Sequence, residues 1–152
     1  MRVLKFGGTS VGSAERMKEV ATLVTNGNEN IVVLSAMAGT TNTLVEIAGY
    51  LYKKNNESAI EQLITLEKKY EKTINELFTT DEFKNKGREL VQSHFNYIKS
   101  FTQDMFTMYE EKAVLAQGEL ISTSLFYFLL QEQGVKSCLI PALNFMRIDK
   151  EN

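Results

Sequence analysis

A glycine turn near the N-terminus has the residue types of a phosphate-binding site. Residues 5–10 read KFGGTS, with Gly7 and Gly8 at the centre and Lys5 before them. Glycine lets the backbone approach an anion closely, and successive N–H groups in such a turn can point at phosphate oxygens. Lys5 could neutralise a phosphate as a point charge. Because the segment matches neither the Walker A pattern nor G-x-G-x-x-G, a second interpretation stays open, a structural turn beside a surface lysine.

A second segment of small residues, SAMAGTTN at 35–42, has groups that could hold a carboxylate. Ser35 and Thr41 carry hydroxyls, and Asn42 adds an amide, beside flexible glycine and alanine backbone. The alternative is a structural role, because Thr41 or Asn42 is also a good N-cap for a following helix.

A third candidate is the segment GELIS at 118–122, inside a mostly apolar helical pattern. A glycine within a helix costs about 1 kcal/mol relative to alanine. Its neighbour Glu119 is flanked by apolar residues and could bind the ammonium group of a substrate. The alternative is that Glu119 is a solvated side chain on the outer face of the helix.

Alternating strands and helices would position the first two segments. Residues 2–6 predict a buried strand that ends at the glycine turn, and 31–34 predict a second strand of the kind found in parallel sheets covered on both faces. Ser13 could cap an intervening helix that stops at Asn26-Gly27, and apolar spacing over 44–51 predicts another helix. This order is typical of α/β proteins, whose ligands bind at the carboxyl ends of parallel strands.

The rest of the chain is predicted to be mainly helical. Apolar residues recur at helical spacing over 57–108 with a break at 79–81, which predicts a helical hairpin. Within it, the charged stretch 67–72 is interpreted as a solvated face. A further helix is predicted over 110–133, followed by a third strand over 137–142.

The amino-acid composition and net charge exclude several classes of protein. The 152 residues are 43% hydrophobic and 24% charged, with a net charge of −2, as expected for one globular domain without an electrostatic footprint for nucleic acid or anionic membranes. No uninterrupted apolar run approaches the roughly 20 residues of a membrane span. The single cysteine, Cys138, is predicted to be a small buried residue, and it excludes a disulfide within the chain. We expect a cytoplasmic protein that binds neither nucleic acid nor membranes and has no metal site.

Taken together, the three segments resemble a known family. KFGGTSV at 5–11, VLSAMAGTTN at 33–42 and GELIS at 118–122 are similar to the three N-terminal signatures of aspartate kinases, in the same order. The resemblance spans essentially the whole chain, and the hairpin is its least distinctive part. The MRVLKFGGTSV opening and the FMRID-like tail are most similar to the form that is fused to homoserine dehydrogenase.

The resemblance implies a fold and an activity. The fold is an α/β three-layer αβα sandwich of the amino-acid kinase (carbamate kinase-like) type, with the helical hairpin as an insertion. The activity is ATP-dependent phosphorylation of the L-aspartate side-chain carboxylate to 4-phospho-L-aspartate, the first step of lysine, threonine and methionine biosynthesis. The implied cofactor is ATP with Mg²⁺, and we expect a homo-oligomer.

The resemblance also implies roles for individual residues. Lys5 would contact the transferred phosphate, while Gly7, Gly8 and Thr9 would contribute to nucleotide binding through the turn. Ser35 and Thr41 would hold the aspartate. Glu119 would contact the aspartate or its amino group.

A complete catalytic domain of this family is longer than the chain. We therefore expect residues 1–152 to be its N-terminal part, without the adenosine site or regulatory domains, and inactive alone. Two alternatives stay open: a non-catalytic binding or assembly module, and a kinase of the same fold that acts on another acid or on a nucleotide.

Overall fold

The first two strands of the chain form a parallel pair. In the computed structural model, which describes residues 1–27, 29–103 and 105–146, β1 (Arg2–Phe6) pairs in parallel with β2 (Asn30–Leu34), and Leu4 lies opposite Val32. Parallel pairing requires a crossover connection, here the helix α1 (Ala14–Val24). The Ser13 side chain accepts a hydrogen bond from the Arg16 N–H and caps α1, as the sequence predicted.

The sheet has one covered and one open face. Successive strand residues point to opposite faces. Leu4, Phe6 and Val32 pack against the helical core, whereas Val3 is 67% exposed and Ile31 and Val33 are each 45% exposed. The expectations that β1 is a buried strand and that β2 is covered on both faces are therefore wrong within the described ranges, because one face of each strand is exposed.

The helical hairpin is confirmed. After α2 (Thr40–Tyr52) come α3 (Asn56–Leu77) and α4 (Asp81–Ser100), whose break falls at the predicted position. Thr80 caps α4 by accepting a hydrogen bond from the Phe83 N–H. The carboxylate of Glu132 accepts hydrogen bonds from the Thr79 and Thr80 N–H groups, so the hairpin tip is also tied to the end of the last long helix.

That last long helix, α5 (Met108–Glu132), is the centre of the core and confirms the helix predicted over 110–133. Val114, Ile121 and Leu125 are fully buried among α2, α4 and the sheet. By length and composition α5 is apolar enough to cross a membrane, the one such helix among the described residues. Half of the apolar window is buried, a pattern that the core helix of a soluble protein shares.

The third strand predicted over 137–142 is wrong. In the structure this stretch is irregular and leads into a short 3₁₀ helix, Ala142–Asn144. Cys138 is exposed rather than buried, and Ile140 is 64% exposed. A strand needs a partner for its N–H and C=O groups, and the described parts of the chain pair only β1 with β2. The FMRID-like tail falls mostly in 147–152, outside the described residues.

Candidate functional site

The three candidate segments meet around Ala36. A Cβ atom on Gly8 would lie 2.7 Å from the Ala36 carbonyl oxygen, and one on Gly118 would lie 2.8 Å from Ala36 Cβ. A Cβ on Gly12 would lie 3.0 Å from Ala38 Cβ. The first two distances are too short for real side chains and the third is tighter than most, so glycine lets the turn after β1, the loop after β2 and the middle of α5 pack in direct contact. This place is the carboxyl edge of the sheet, where ligands bind in parallel α/β folds.

The two adjacent glycines of the first turn differ in their surroundings. Gly8 is packed against Ala36, and its carbonyl accepts a hydrogen bond from the Ala38 N–H at 3.1 Å. A Cβ on Gly7 would meet no heavy atom within 4 Å. Gly8 is therefore required by packing, whereas the space around Gly7 is open and is where an anion could approach the backbone.

The first turn is ordered by its own hydrogen bonds and by α1. The Ser10 N–H donates to the Gly7 carbonyl at 2.9 Å. The Arg16 guanidinium donates to the carbonyl oxygen of Thr9 at 2.8 Å. Thr9 is exposed at the bend between these contacts. The sequence interpretation missed Arg16, although its position one turn into a capped helix places it close to the preceding loop.

Lys5 does not contact the other candidates. It lies in β1 opposite Val33, and alternation puts its exposed side chain on the open face of the sheet with Val3. Among residues the structure describes, its ammonium group forms no hydrogen bond or ion pair. The structure therefore brings Gly8, Ser35 and Gly118 together and leaves Lys5 as a free cation on the adjoining open face.

The loop after β2 ends in a helix start that no side chain caps. The N-cap of α2 is Gly39, whose φ of +79° is a left-handed conformation that suits glycine. Thr41 and Asn42 are exposed in the first turn and do not cap it. The alternative that either residue is the N-cap is therefore wrong. The first-turn N–H groups have the partial positive charge that favours a carboxylate.

The loop is held from the other side by α5. Buried Ser122 donates a hydrogen bond from its Oγ to the Ser35 carbonyl at 2.8 Å, and the Ser35 N–H donates to the Phe6 carbonyl at 3.1 Å. Glu119 is exposed next to buried Gly118, so its carboxylate lies at the surface of this junction. Exposure is compatible with both interpretations of Glu119, a ligand contact and a solvated side chain.

Helix α3 adds two contacts that the sequence interpretation missed. The Lys69 ammonium donates to the Ala38 carbonyl at 2.5 Å, and the Tyr70 hydroxyl lies 3.1 Å from the Thr40 Oγ1. Partial burial lowers the pKa of Lys69. Burial raises the pKa of Tyr70 to about 12, its hydrogen bond with Thr40 lowers it, and the charge of Glu119 raises it.

The interpretation of 67–72 as a solvated face is wrong at Tyr70, which is fully buried. The signal was present in the sequence. Leu63, Leu66, Tyr70 and Ile74 recur at helical spacing and form the buried stripe of α3. The charged neighbours of Tyr70 concealed that spacing.

No residue set in the described ranges could by itself hold a metal ion, since no three His, Cys, Asp or Glu side chains come together there. The single histidine, His94, has a structural partner. Its Nδ1 lies 2.5 Å from the Oε1 atom of buried Gln117, immediately before Gly118.

Comparison with protein families identifies one match. A family model described as the amino acid kinase family matches residues 1–152. Among curated relatives, Aspartokinase 1, chloroplastic, of Arabidopsis thaliana is 34% identical over 145 residues, which cover 89% of the chain and 24% of the relative. A bifunctional aspartokinase/homoserine dehydrogenase of Buchnera aphidicola is 28% identical over an alignment of 159 positions that covers 97% of the chain and 19% of the relative. The chain thus spans about a quarter or less of these relatives' lengths.

Solved structures with the same fold include two of E. coli aspartokinase III. One, in complex with lysine and aspartate in the T-state, superposes with a TM-score of 0.69, and the other, in complex with aspartate and ADP in the R-state, with 0.67. Each is 27% identical in sequence, and the match covers 90% of this chain and 30% of the solved chain.

Proposed function

Because the chain belongs to the amino acid kinase family, we propose that residues 1–152 are the aspartate-binding and phosphate-contacting part of an ATP-dependent aspartate kinase. The observation that carries the proposal is the meeting of the KFGGTS turn, the SAMAGTTN loop and the GELIS helix at Ala36. This packing places segments that are 28 and 82 positions apart at one edge of the sheet, where their exposed groups could serve one site. Support also comes from the similarity to aspartokinases, one of them solved with aspartate and ADP.

The aspartate side of the site would be the start of α2 and the surface of α5. The uncapped first-turn N–H groups and the exposed Thr41 hydroxyl would bind a carboxylate of the substrate. Ser35, half-buried at the carboxyl end of β2, would hold the same substrate from the sheet side. Glu119 would pair with the ammonium group, which its carboxylate attracts as an opposite charge.

The phosphate side would be the glycine turn. Open space at Gly7 admits a phosphate to the backbone, with Gly8 fixing the turn and Thr9 at its exposed bend. Lys5 would neutralise the transferred phosphoryl group. Mg²⁺ would arrive with ATP as part of the substrate, because Mg²⁺ in kinases is commonly held by one or two carboxylates plus phosphates.

The reaction would require the protein mainly to position the two substrates and to neutralise charge. The aspartate β-carboxylate is already ionised at neutral pH, so no general base is needed. One carboxylate oxygen forms a bond to the γ-phosphorus while the bond to the bridging oxygen breaks, which yields 4-phospho-L-aspartate and ADP. Catalysis would rest on alignment and on neutralisation of phosphate charge.

Several broader features belong to the same proposal. The reaction would be the first step of lysine, threonine and methionine biosynthesis, in a cytoplasmic homo-oligomer. The adenosine site would be contributed by residues other than 1–152, so this stretch alone would be inactive.

The test is product formation by the full-length protein. Incubation with L-aspartate and Mg-ATP should release ADP and form an acyl phosphate, which hydroxylamine traps as a hydroxamate. L-Glutamate and N-acetylglutamate serve as matched controls for a kinase of the same fold with another acid substrate. Hydroxamate formation with one of these acids and not with aspartate would contradict the proposal.

A further inference from the structure

Two neighbouring residues of the helical hairpin reach the loop that would bind aspartate. Lys69 Nζ donates to the carbonyl oxygen of Ala38 at 2.5 Å, and the hydroxyl of Tyr70 is 3.1 Å from Thr40 Oγ1. These contacts lie on either side of Gly39, the left-handed N-cap of α2. The hairpin therefore holds the backbone at the point where the loop turns into the helix.

The two contacts differ in environment. Tyr70 and Thr40 are both fully buried, so each hydroxyl relies on the other in place of water. Lys69 is exposed, and its ammonium would lie 3.5 Å from a Cβ placed on Gly39. A cation beside a helix N-terminus is unfavourable for the helix alone, because both carry positive potential. The same arrangement favours an anion at that helix start.

On these grounds we infer that Lys69 and Tyr70 are positioning residues for the aspartate-binding loop. They hold Ala38, Gly39 and Thr40 so that the first-turn N–H groups of α2 face the substrate carboxylate. The inference rests on the proposed function and adds to it a role for the hairpin. Neither residue needs to touch the reacting atoms, since each acts through the backbone or side chain of the loop.

The experiment uses the full-length protein with steady-state kinetics for both substrates. The variants are Lys69→Met, Lys69→Arg and Tyr70→Phe, with Lys68→Met and Tyr97→Phe as matched controls. Lys68 is exposed on the same helix, and Tyr97 is 46% exposed on α4. Melting temperatures are recorded for every variant, so a folding defect is recognised separately.

We expect Lys69→Met and Tyr70→Phe each to raise the Michaelis constant for aspartate about tenfold, the size of one lost hydrogen bond. The constant for ATP should change by less than about twofold, as for a group that acts on one substrate. Lys69→Arg should restore aspartate affinity, because arginine can also donate to the Ala38 carbonyl. A further variant that combines Lys69→Met with Tyr70→Phe should raise this constant by less than the product of the two single effects, since both contacts hold one loop.

The outcomes separate this inference from the proposed function. An active wild-type protein whose Lys69→Met and Tyr70→Phe variants keep the wild-type constant for aspartate would overturn the inference alone. Equal weakening for aspartate and ATP, or an effect of the same size in Lys68→Met, would also overturn it. A wild-type protein without aspartate-dependent ADP release would overturn the proposed function instead. If Tyr70→Phe is too unstable for kinetics, the rise in its melting temperature on addition of aspartate is measured instead. A rise as large as that of the wild-type protein would count against a positioning role for Tyr70.

Discussion

The glycine turn and the loop after β2 lie side by side but are supported very differently. The loop is held by Ser122 at the Ser35 carbonyl, by Lys69 at the Ala38 carbonyl and by Tyr70 at Thr40, from two helices. On the turn, Gly7 faces open space, and on the strand before it the exposed Lys5 side chain forms no hydrogen bond or ion pair in the described ranges. Preorganisation is therefore concentrated on the side proposed for aspartate. On the proposed phosphate side, the side-chain support of the turn comes from nearby Arg16, and the Lys5 ammonium forms no hydrogen bond or ion pair in the described ranges.

The largest expected effect concerns the stretch 1–152 by itself. If it contains the aspartate side and only part of the phosphate side, it should fold and yet release no ADP from Mg-ATP and aspartate. Circular dichroism reports folding, and a coupled assay reports ADP. Aspartate-dependent ADP release by 1–152 that Lys5→Ala abolishes would mean that both sides are complete within this stretch.

Next is Lys5→Ala in the full-length protein. Loss of a group that stabilises developing charge commonly costs about 2.7–4 kcal/mol of the barrier, or 10²–10³ in turnover. Stability should be unchanged, because the Lys5 side chain is exposed. The control is Lys53→Ala. Lys53 is also an exposed lysine, and it lies at the C-terminal end of α2. Turnover equal to wild type in Lys5→Ala would remove Lys5 from the mechanism.

A smaller effect is expected for Glu119→Gln. The loss of a charge-assisted hydrogen bond to the substrate ammonium corresponds to about 1.5–3 kcal/mol. The Michaelis constant for aspartate should therefore rise far more than the constant for ATP. Glu111→Gln, on the same helix but beside Tyr52 at its N-terminal end, provides the matched control. If the two substrates were affected equally, or neither were, Glu119 would be a solvated helix residue.

The smallest effects are expected for substitutions of two glycines: Gly118, which is packed against Ala36, and Gly7, which has open space around it. Gly118→Ala places a Cβ 2.8 Å from Ala36 Cβ. Overpacking of about 1–3 kcal/mol should outweigh the gain of about 1 kcal/mol in helix propensity, so the melting temperature falls. Gly7→Ala meets no atom within 4 Å and should leave stability almost unchanged while it lowers activity. A melting temperature that falls in Gly7→Ala but not in Gly118→Ala would reverse the assignment of the two glycines.

Local sequence signals were sufficient for the helices. Ser13 caps α1 as predicted, and the predicted break at 79–81 contains Thr80, the cap of α4, because an N-cap side chain bonds to an N–H only two or three residues away. The hairpin and α5 also followed from apolar spacing, since one helix face must meet the core. The three candidate segments were likewise recognisable, and the structure brings all three together at Ala36.

Contacts between segments that are far apart in the sequence could not be predicted in the same way. The predicted strand over 137–142 has the apolar residues of a strand but no partner among the described strands, and pairing depends on distant segments. For the same reason the sequence could not indicate which face of β2 is open, or that Lys69 lies against Ala38, 31 positions away. Both depend on how the helices pack.

By itself, then, the sequence determined the two strands, the long helices, the cap of α1 and the family, because these depend on residue types at short spacing. Only the tertiary structure decided that Gly8 and Gly118 are packing glycines while Gly7 is open, and that Gly39 rather than Thr41 begins α2. It also decided that the hairpin supports the proposed aspartate loop through Lys69 and Tyr70. The physical reason is distance along the chain. A contact between segments dozens of residues apart is selected by the packing of the whole core, and no local pattern encodes it.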